Sequence, residues 1–210
     1  MAQLSMNETT TFRWSFEEDV ANYSAAQIPA IGVWRQKLSD FGVTKGTELL
    51  LESGLAVSHL LWAGGFTGSD GRSFKASVDD AVEAVQVADA IQAPVLVVYS
   101  GARAGHTHNH ARRLIREALK EMLPVSAELG VTLALEPMHA DCAAEFTFLN
   151  SIDDVLDAIN AVGSPQVKMV FDTYHLGRDE SSIDRIAEIA PYIALVQLGD
   201  SREAVQTEQN

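Results

Sequence analysis

The chain has 210 residues, of which 47% are hydrophobic, and its formal net charge is −14. This length and composition suit one globular domain with a substantial core, and they argue against a disordered protein. The acidic balance repels phosphate backbones, so we expect no nucleic-acid partner.

The single cysteine, Cys142, excludes an internal disulfide and a cysteine-rich zinc site. The amino terminus has neither the basic start nor the apolar core of a signal peptide. No stretch approaches the roughly 18 consecutive apolar residues of a membrane span. We therefore expect a cytoplasmic protein without a membrane partner, organised as one domain over residues 1–210.

Segments with the pattern of strands and helices alternate along the whole chain. Strands are predicted over 10–14, 30–34, 56–62, 94–99, 131–136, 167–172 and 193–197. Helices are predicted after Ser15, near 43–53, over 73–92 and 109–129, after Ser151 and over 182–190. Ser15 and Glu18 have the spacing of a capping box, and Pro124 should kink or split the helix that contains it.

Alternation of strands and helices predicts a parallel sheet covered by helices. Seven units favour a (β/α)₈ barrel over an open doubly wound sheet. The open sheet would require a glycine-rich phosphate loop after its first strand, and the sequence has none there. A complete barrel has about 250 residues. We therefore expect a barrel truncated after strand seven, with about 50–70 residues of an eighth unit absent or the open seam covered by something else.

Three polar residues end three apolar runs: Glu136, Asp172 and Gln197. They are 36 and 25 residues apart, about one strand-plus-helix unit each. Because catalytic groups in α/β barrels lie at the carboxyl ends of the strands, these side chains should converge at one end of the sheet. The pattern predicts part of a metal site.

Each of these residues also has a simpler interpretation. Glu136 could be satisfied by a neighbouring cation or backbone group. Asp172 could cap a turn, with His175 nearby only by coincidence. Gln197 could hydrogen-bond a substrate, since carboxylate or imidazole is the usual ligand for a divalent ion.

Histidines and tryptophans supply further candidates for substrate binding. His139 lies three residues after Glu136, and His108 is the middle member of an alternating histidine run after strand four. Trp14 and Trp62 end predicted strands, as does Trp34, so their rings could form an apolar wall for a sugar ring; core packing is the alternative. His59, inside strand three, is expected to be a hydrogen-bonded core residue.

The motifs Leu-Glu-Pro at 135–137 and Phe-Asp-Thr-Tyr-His at 171–175 resemble those of the xylose isomerase-like TIM-barrel superfamily of sugar phosphate isomerases, epimerases and inosose-processing enzymes. The resemblance implies that Glu136 and Asp172 bind a divalent ion, with Gln197 where histidine is usual. It implies that His175 contacts a substrate oxygen. The ion would be Mn²⁺, Mg²⁺ or Co²⁺, with Zn²⁺ used in the nuclease branch.

The resemblance implies a metal-dependent isomerase or epimerase that acts on a small sugar, keto-sugar or cyclitol through an enediolate. Glu136 would be a catalytic base, and its partner in the family is a glutamate on strand eight, which this chain lacks. Alternatives are an inosose-type dehydratase, an inactive incomplete barrel, and the abasic-site endonuclease branch, which the acidic charge disfavours. Exposed sheet edges favour a homo-oligomer.

Overall fold

The computed structural model describes residues 3–177 and 180–199, and these form one sheet of seven parallel strands. Neighbours in the sheet follow chain order from the first strand to the seventh. The strands are β1 (Met6–Asn7), β2 (Ala30–Trp34), β3 (Ala56–Gly64), β4 (Val95–Tyr99), β5 (Thr132–Leu135), β6 (Val167–Asp172) and β7 (Ile193–Gln197).

Helices follow the strands along the chain. They are α1 (Phe16–Ala25), α2 (Arg35–Phe41), α3 (Val43–Ser53), α4 (Phe74–Ala90), α5 (His108–Leu129), α6 (Ile152–Val162), α7 (Thr173–Leu176), α8 (Glu180–Asp184) and α9 (Ile186–Ile189). No helix in the described ranges is long and apolar enough to cross a membrane.

The predicted helix starts are confirmed at two positions. Ser15 Oγ accepts the Glu18 N–H at 3.2 Å, and Glu18 Oε2 accepts the Ser15 N–H at 2.8 Å, which completes the capping box of α1. Ser151 Oγ accepts the Asp154 N–H at 3.1 Å and caps α6. Pro124 does not split α5, which runs without a break through it.

The first predicted strand was misplaced. Residues 10–14 form turns, and β1 lies earlier, at Met6–Asn7. The turns begin where Asn7 Oδ1 accepts the Thr9 N–H at 3.0 Å and the Asn7 carbonyl accepts the Thr10 N–H at 2.9 Å. These local hydrogen bonds outweigh the strand propensity of the segment.

Two further differences concern helices. Helix α2 was not predicted, because it begins directly after Trp34 without a side-chain cap. The helix predicted over 182–190 is two short helices, α8 and α9, followed by a 3₁₀ turn at Ala190–Tyr192.

Alternate residues of the central strands enter two separate apolar clusters. Leu133 and Leu135 of β5 join the large core that includes the helices, whereas Ala134 belongs to a smaller cluster. That smaller cluster consists of Leu61, Val95, Val97, Ala134 and Val170. Because side chains alternate across a strand, the smaller cluster lies on the sheet face that the helices do not cover.

The sheet is curled, since its two edge strands share a cavity. The cavity has a volume of about 370 Å³ and is lined by Met6 and Asn7 from β1 and by Leu195 and Gln197 from β7. The smaller cluster is therefore the interior of a barrel. The predicted parallel α/β barrel is confirmed over the seven strands that the structure describes.

Candidate functional site

Strand alternation places Glu136 and Asp172 on the inner face of the sheet. Glu136 comes two residues after the inward-facing Ala134, and Asp172 comes two residues after the inward-facing Val170. The Glu136 N–H donates to the Val98 carbonyl at 3.0 Å, which extends the ladder by one residue beyond β5. Both carboxyl groups therefore point into the barrel at the carboxyl ends of neighbouring strands.

These two carboxylates and His175 form a compact group. One potential metal-binding atom from each of Glu136, Asp172 and His175 lies within 4.8 Å of the others. Glu136 is only 3% exposed and Asp172 is 8% exposed. Two buried acids so close together are an arrangement that a divalent cation would relieve.

The electrostatics of the group are unfavourable for two negative charges. Burial, and then the charge of Asp172, raises the pKa of Glu136 to about 8. The Trp62 Nε1–H donates to Glu136 Oε2 at 3.2 Å and acts in the opposite direction. Burial also raises the pKa of Asp172, against the stabilising Tyr174 N–H at 2.7 Å. No lysine or arginine in the described ranges forms an ion pair with either carboxylate.

Asp172 serves two purposes. Its Oδ1 accepts the Tyr174 N–H and so caps α7, as in the simpler interpretation of the sequence. The same turn brings His175 back beside Asp172 and Glu136, so its position is not a coincidence of sequence spacing. His175 Nδ1 accepts the His139 N–H at 3.2 Å. With Nδ1 an acceptor, the neutral imidazole carries its hydrogen on Nε2.

Gln197 lies directly beside Asp172. The two residues are register partners on the adjacent parallel strands β6 and β7. The Gln197 Nε2 atom is buried and has no hydrogen-bond partner in the described part of the chain. Because a buried donor without a partner is costly, this amide nitrogen is suited to donate to a ligand oxygen held next to Asp172.

The tryptophans predicted to line the barrel mouth occupy different places. Trp62 contacts Glu136 directly, and the Trp34 ring packs edge-on against the Trp62 ring with 6.4 Å between centroids. Trp14 does not end a strand, because the strand predicted before it is absent. It lies in a separate cavity with Trp34 and is 40% exposed.

The remaining histidine candidates do not bring their rings into the group. The side chain of His139 contacts Asp141, with Nδ1 3.1 Å from the carboxylate, and only its backbone reaches His175. His108 is exposed at the start of α5 and lines a different cavity, with Gly105 and Ala143.

His59 is a hydrogen-bonded core residue, as predicted. Its Nδ1 lies 2.8 Å from Ser58 Oγ, and its Nε2 lies 3.4 Å from Asn7 Nδ2. Burial lowers the pKa of His59 to about 4, which keeps the ring neutral.

Sequence reasoning missed a second buried group, formed by Glu8, Asp19 and Lys37. Glu8 and Asp19 are fully buried, and Lys37 Nζ donates to Asp19 Oδ2 at 2.5 Å. Burial raises the pKa of Glu8 to about 8. The sequence offered no signal for this group, because Lys37 lies on α2, and that helix has no side-chain cap and was not predicted.

Fold and site together define an α/β-barrel protein with a buried acidic centre at the carboxyl ends of its strands. The xylose isomerase-like TIM-barrel family pattern matches residues 21–209, and the chain belongs to this family. A search of curated proteins finds no match.

Three solved structures illustrate the similarity. Protein SMc04130 from Sinorhizobium meliloti 1021 is 27% identical with a TM-score of 0.84, and the alignment covers 96% of this chain and 76% of that one. IOLI protein with a bound zinc atom is 16% identical with a TM-score of 0.78, and the covered shares are 96% and 74%. D-allulose 3-epimerase from Methylomonas sp. is 19% identical with a TM-score of 0.76, and the covered shares are 98% and 75%.

Proposed function

We propose that this protein is a divalent-metal-dependent isomerase or epimerase of a small sugar, keto-sugar or cyclitol. The observation that carries the proposal is the group of Glu136, Asp172 and His175, whose potential ligand atoms lie within 4.8 Å of one another. Its two carboxyl groups are buried and lack a lysine or arginine partner in the described ranges. A family that contains sugar epimerases of the same fold supports this choice.

The residues that would hold the ion are Glu136, Asp172 and Gln197. Their oxygen atoms suit a hard cation, so Mn²⁺, Mg²⁺ or Co²⁺ fits better than Zn²⁺, although the IOLI structure of the same fold contains zinc. When bound, the ion would polarise a substrate carbonyl and acidify the neighbouring C–H bond.

Glu136 is suited to be the base. With the ion bound, the nearby positive charge would keep this buried carboxylate ionised, so that it can accept a proton. It would take the proton from the carbon next to the carbonyl, and the C–H electron pair would become the C=C bond of an enediolate. Return of that proton to the former carbonyl carbon, with transfer of the hydroxyl proton to the former carbonyl oxygen, completes an isomerisation. Delivery of a proton from water to the opposite face of the original carbon completes an epimerisation, and Glu136 then gives its proton to the hydroxide that remains.

His175 and Trp62 would position the substrate and the base. Because His175 Nδ1 accepts the His139 N–H, the Nε2–H of the neutral ring can donate to a substrate oxygen. Trp62 holds Glu136 Oε2 with its indole N–H and presents an apolar ring beside it. An inosose-type dehydratase would use the same base and differ only in the loss of a hydroxyl group after the enediolate forms.

The test is proton exchange in D₂O. The full chain is incubated with Mn²⁺ and each of a panel of ketohexoses. We expect one of the sugars to incorporate deuterium at a carbon-bound position, which NMR detects. Glu136→Gln should reduce exchange by at least about 100-fold while the far-UV circular dichroism stays unchanged. Glu8→Gln is the matched control, since burial raises the pKa of both glutamates to about 8, and it should keep the exchange.

Two outcomes would contradict the proposal. A wild-type protein that binds Mn²⁺ but exchanges no carbon-bound proton with any substrate of the panel is not an isomerase or epimerase of this type. Exchange that persists in Glu136→Gln removes Glu136 from the role of base. Release of water from a cyclitol ketone, without isomerisation, would instead support the dehydratase.

A further inference from the structure

A second cavity lies at the same end of the sheet as the proposed site, where the strands reach their carboxyl termini. Its volume is about 470 Å³, within the range of about 300–1,000 Å³ typical of small-molecule sites. We call it the aromatic groove, and its main lining residues are Phe12, Trp14, Trp34, Gln36, Asp40 and Phe41.

The fold places the aromatic groove at the carboxyl ends of the strands. Phe12 and Trp14 belong to the connection after β1, and Trp34 is the last residue of β2. Gln36, Asp40 and Phe41 come from α2, directly after it. In α/β barrels these connections shape the substrate site.

Two tryptophan rings join the aromatic groove to the proposed base. Trp34 lines the groove and packs edge-on against Trp62, at an interplanar angle of 72°. The indole N–H of Trp62 in turn donates to Glu136 at 3.2 Å. The Trp34 and Trp62 rings therefore separate a ligand in the groove from the Glu136 carboxylate.

The two tryptophan rings of the aromatic groove pack against neighbouring side chains before any ligand arrives. The Trp34 backbone N–H donates to Glu8 Oε2 at 2.6 Å and fixes the main chain, and Lys37 Nζ lies 6.0 Å from the centroid of the Trp34 ring. Trp14 packs against Tyr23 with 6.4 Å between ring centroids. Phe12 and Trp14 nevertheless remain 62% and 40% exposed. Fixed aromatic surface that is still open to solvent can bind a ligand without a large ordering cost.

The polar groups of the aromatic groove match a carbohydrate or its glycoside. Gln36 Nε2 donates to Asp40 Oδ1 at 2.8 Å, so the amide oxygen and the second carboxylate oxygen can accept hydroxyl groups. Aromatic rings stack on the C–H face of a pyranose or on a planar aglycone because both are apolar.

We propose that the aromatic groove is a second subsite, which binds the aglycone or second sugar ring of a glycoside whose reacting sugar carries a ketone on a ring carbon and lies at Glu136 and Asp172. This inference rests on the proposed function and names its substrate class, a glycoside larger than a monosaccharide.

The experiment compares two ligands that differ only in the aglycone, methyl β-D-glucoside and phenyl β-D-glucoside, by calorimetric titration of the full chain. The phenyl glucoside should bind at least about ten-fold more tightly. Trp14→Ala and, separately, Phe12→Ala should reduce this ratio to within about two-fold. Phe146→Ala is the matched control, because Phe146 is an aromatic residue that is 50% exposed and does not line the groove, and it should keep the ratio.

The two proposals fail in different ways. Glu136→Gln should abolish proton exchange and leave the phenyl-to-methyl ratio intact, because Glu136 does not line the groove. Equal binding of the two glucosides by the wild type would overturn the subsite, as would a ratio that survives both groove variants. If Trp14→Ala changes the sedimentation of the protein and leaves the ratio unchanged, the groove is an interface between copies and the proposal is wrong.

Discussion

Two buried acidic groups lie at the same end of this barrel, and they differ in how their charge is balanced. The structural group consists of Glu8, Asp19 and Lys37, and the candidate catalytic group consists of Glu136, Asp172 and His175. Burial raises the pKa of both glutamates to about 8. The first group contains an ammonium ion, whereas no lysine or arginine of the described ranges pairs with the second.

The structural group is neutral as it stands. Lys37 Nζ donates to Asp19 Oδ2 at 2.5 Å and to the Thr11 carbonyl at 3.0 Å, and Thr11 Oγ1 donates to Asp19 Oδ1 at 2.6 Å. Glu8, with its raised pKa, stays protonated at neutral pH beside one carboxylate and one ammonium. Its charges therefore cancel without any ligand.

The candidate catalytic group has hydrogen bonds from Trp62 and from the Tyr174 backbone, and its basic side chain is His175, whose charge lowers the pKa of Asp172, in place of a permanently charged lysine. A buried carboxylate that is not neutralised either takes up a proton or binds a cation from solution. The comparison shows that burial and a raised pKa alone do not identify a metal site. The distinguishing feature is that no lysine or arginine of the described ranges pairs with these carboxyl groups.

The largest expected effect is on stability, from removal of the internal cation. Lys37→Met leaves Asp19, which is fully buried, without its ion pair and should lower the free energy of unfolding by about 3–5 kcal/mol. Urea unfolding followed by circular dichroism measures the change. Adding Asp19→Asn to the same chain should restore part of the loss, because the uncompensated charge is removed.

Lys75→Met is the control for Lys37→Met. Lys75 pairs with Asp79 in an exposed ion pair on α4, where water screens the interaction. We expect no measurable change in the urea midpoint. If Lys37→Met behaves like Lys75→Met, the structural group is not held by its cation and the comparison between the two groups fails.

The next effect concerns Mn²⁺ binding. Asp172→Asn should weaken Mn²⁺ binding by about 100-fold, since loss of a direct ligand should cost at least as much as loss of an outer-shell contact. Asp19→Asn should leave Mn²⁺ affinity unchanged, because Lys37 already occupies that position. Calorimetric titration of both variants decides the matter. If Asp19→Asn loses Mn²⁺ affinity and Asp172→Asn keeps it, the metal binds at the structural group and the proposed site is wrong.

The sequence predicted the candidate catalytic group better than the structural one. Glu136, Asp172 and Gln197 could be found because each ends a long apolar run, and strand alternation then fixes the direction of its side chain. His175 followed from its spacing to Asp172. The family pattern confirms the fold that these positions imply.

The structural group could not be found in the same way. Glu8 follows a strand of only two residues, and the hydrogen bonds of Asn7 turn the chain where propensity favoured a longer strand. Lys37 is on a seven-residue helix without a capping side chain. The position of Trp14 depended on the same misplaced strand, so its cavity could be located only from the tertiary structure.

The last expected effect is on the pH dependence of stability, through Glu8, and it is small for each unit of pH. Its pKa is about 8 in the folded protein against an ordinary value of 4.5, so between these values the folded state holds a proton that the unfolded state has lost. Stability must therefore fall as the pH rises through this window, by up to about 1.4 kcal/mol per pH unit. Glu8→Gln imitates the protonated form, and its amide oxygen can still accept the Trp34 N–H. The variant should match the wild type near pH 4.5 and exceed its stability at pH 8. Glu136 contributes the same pH dependence to both proteins, so the difference between their urea midpoints reports Glu8 alone. Parallel pH profiles of the two proteins would show that Glu8 is ionised in the folded protein. The structural group would then not be neutral.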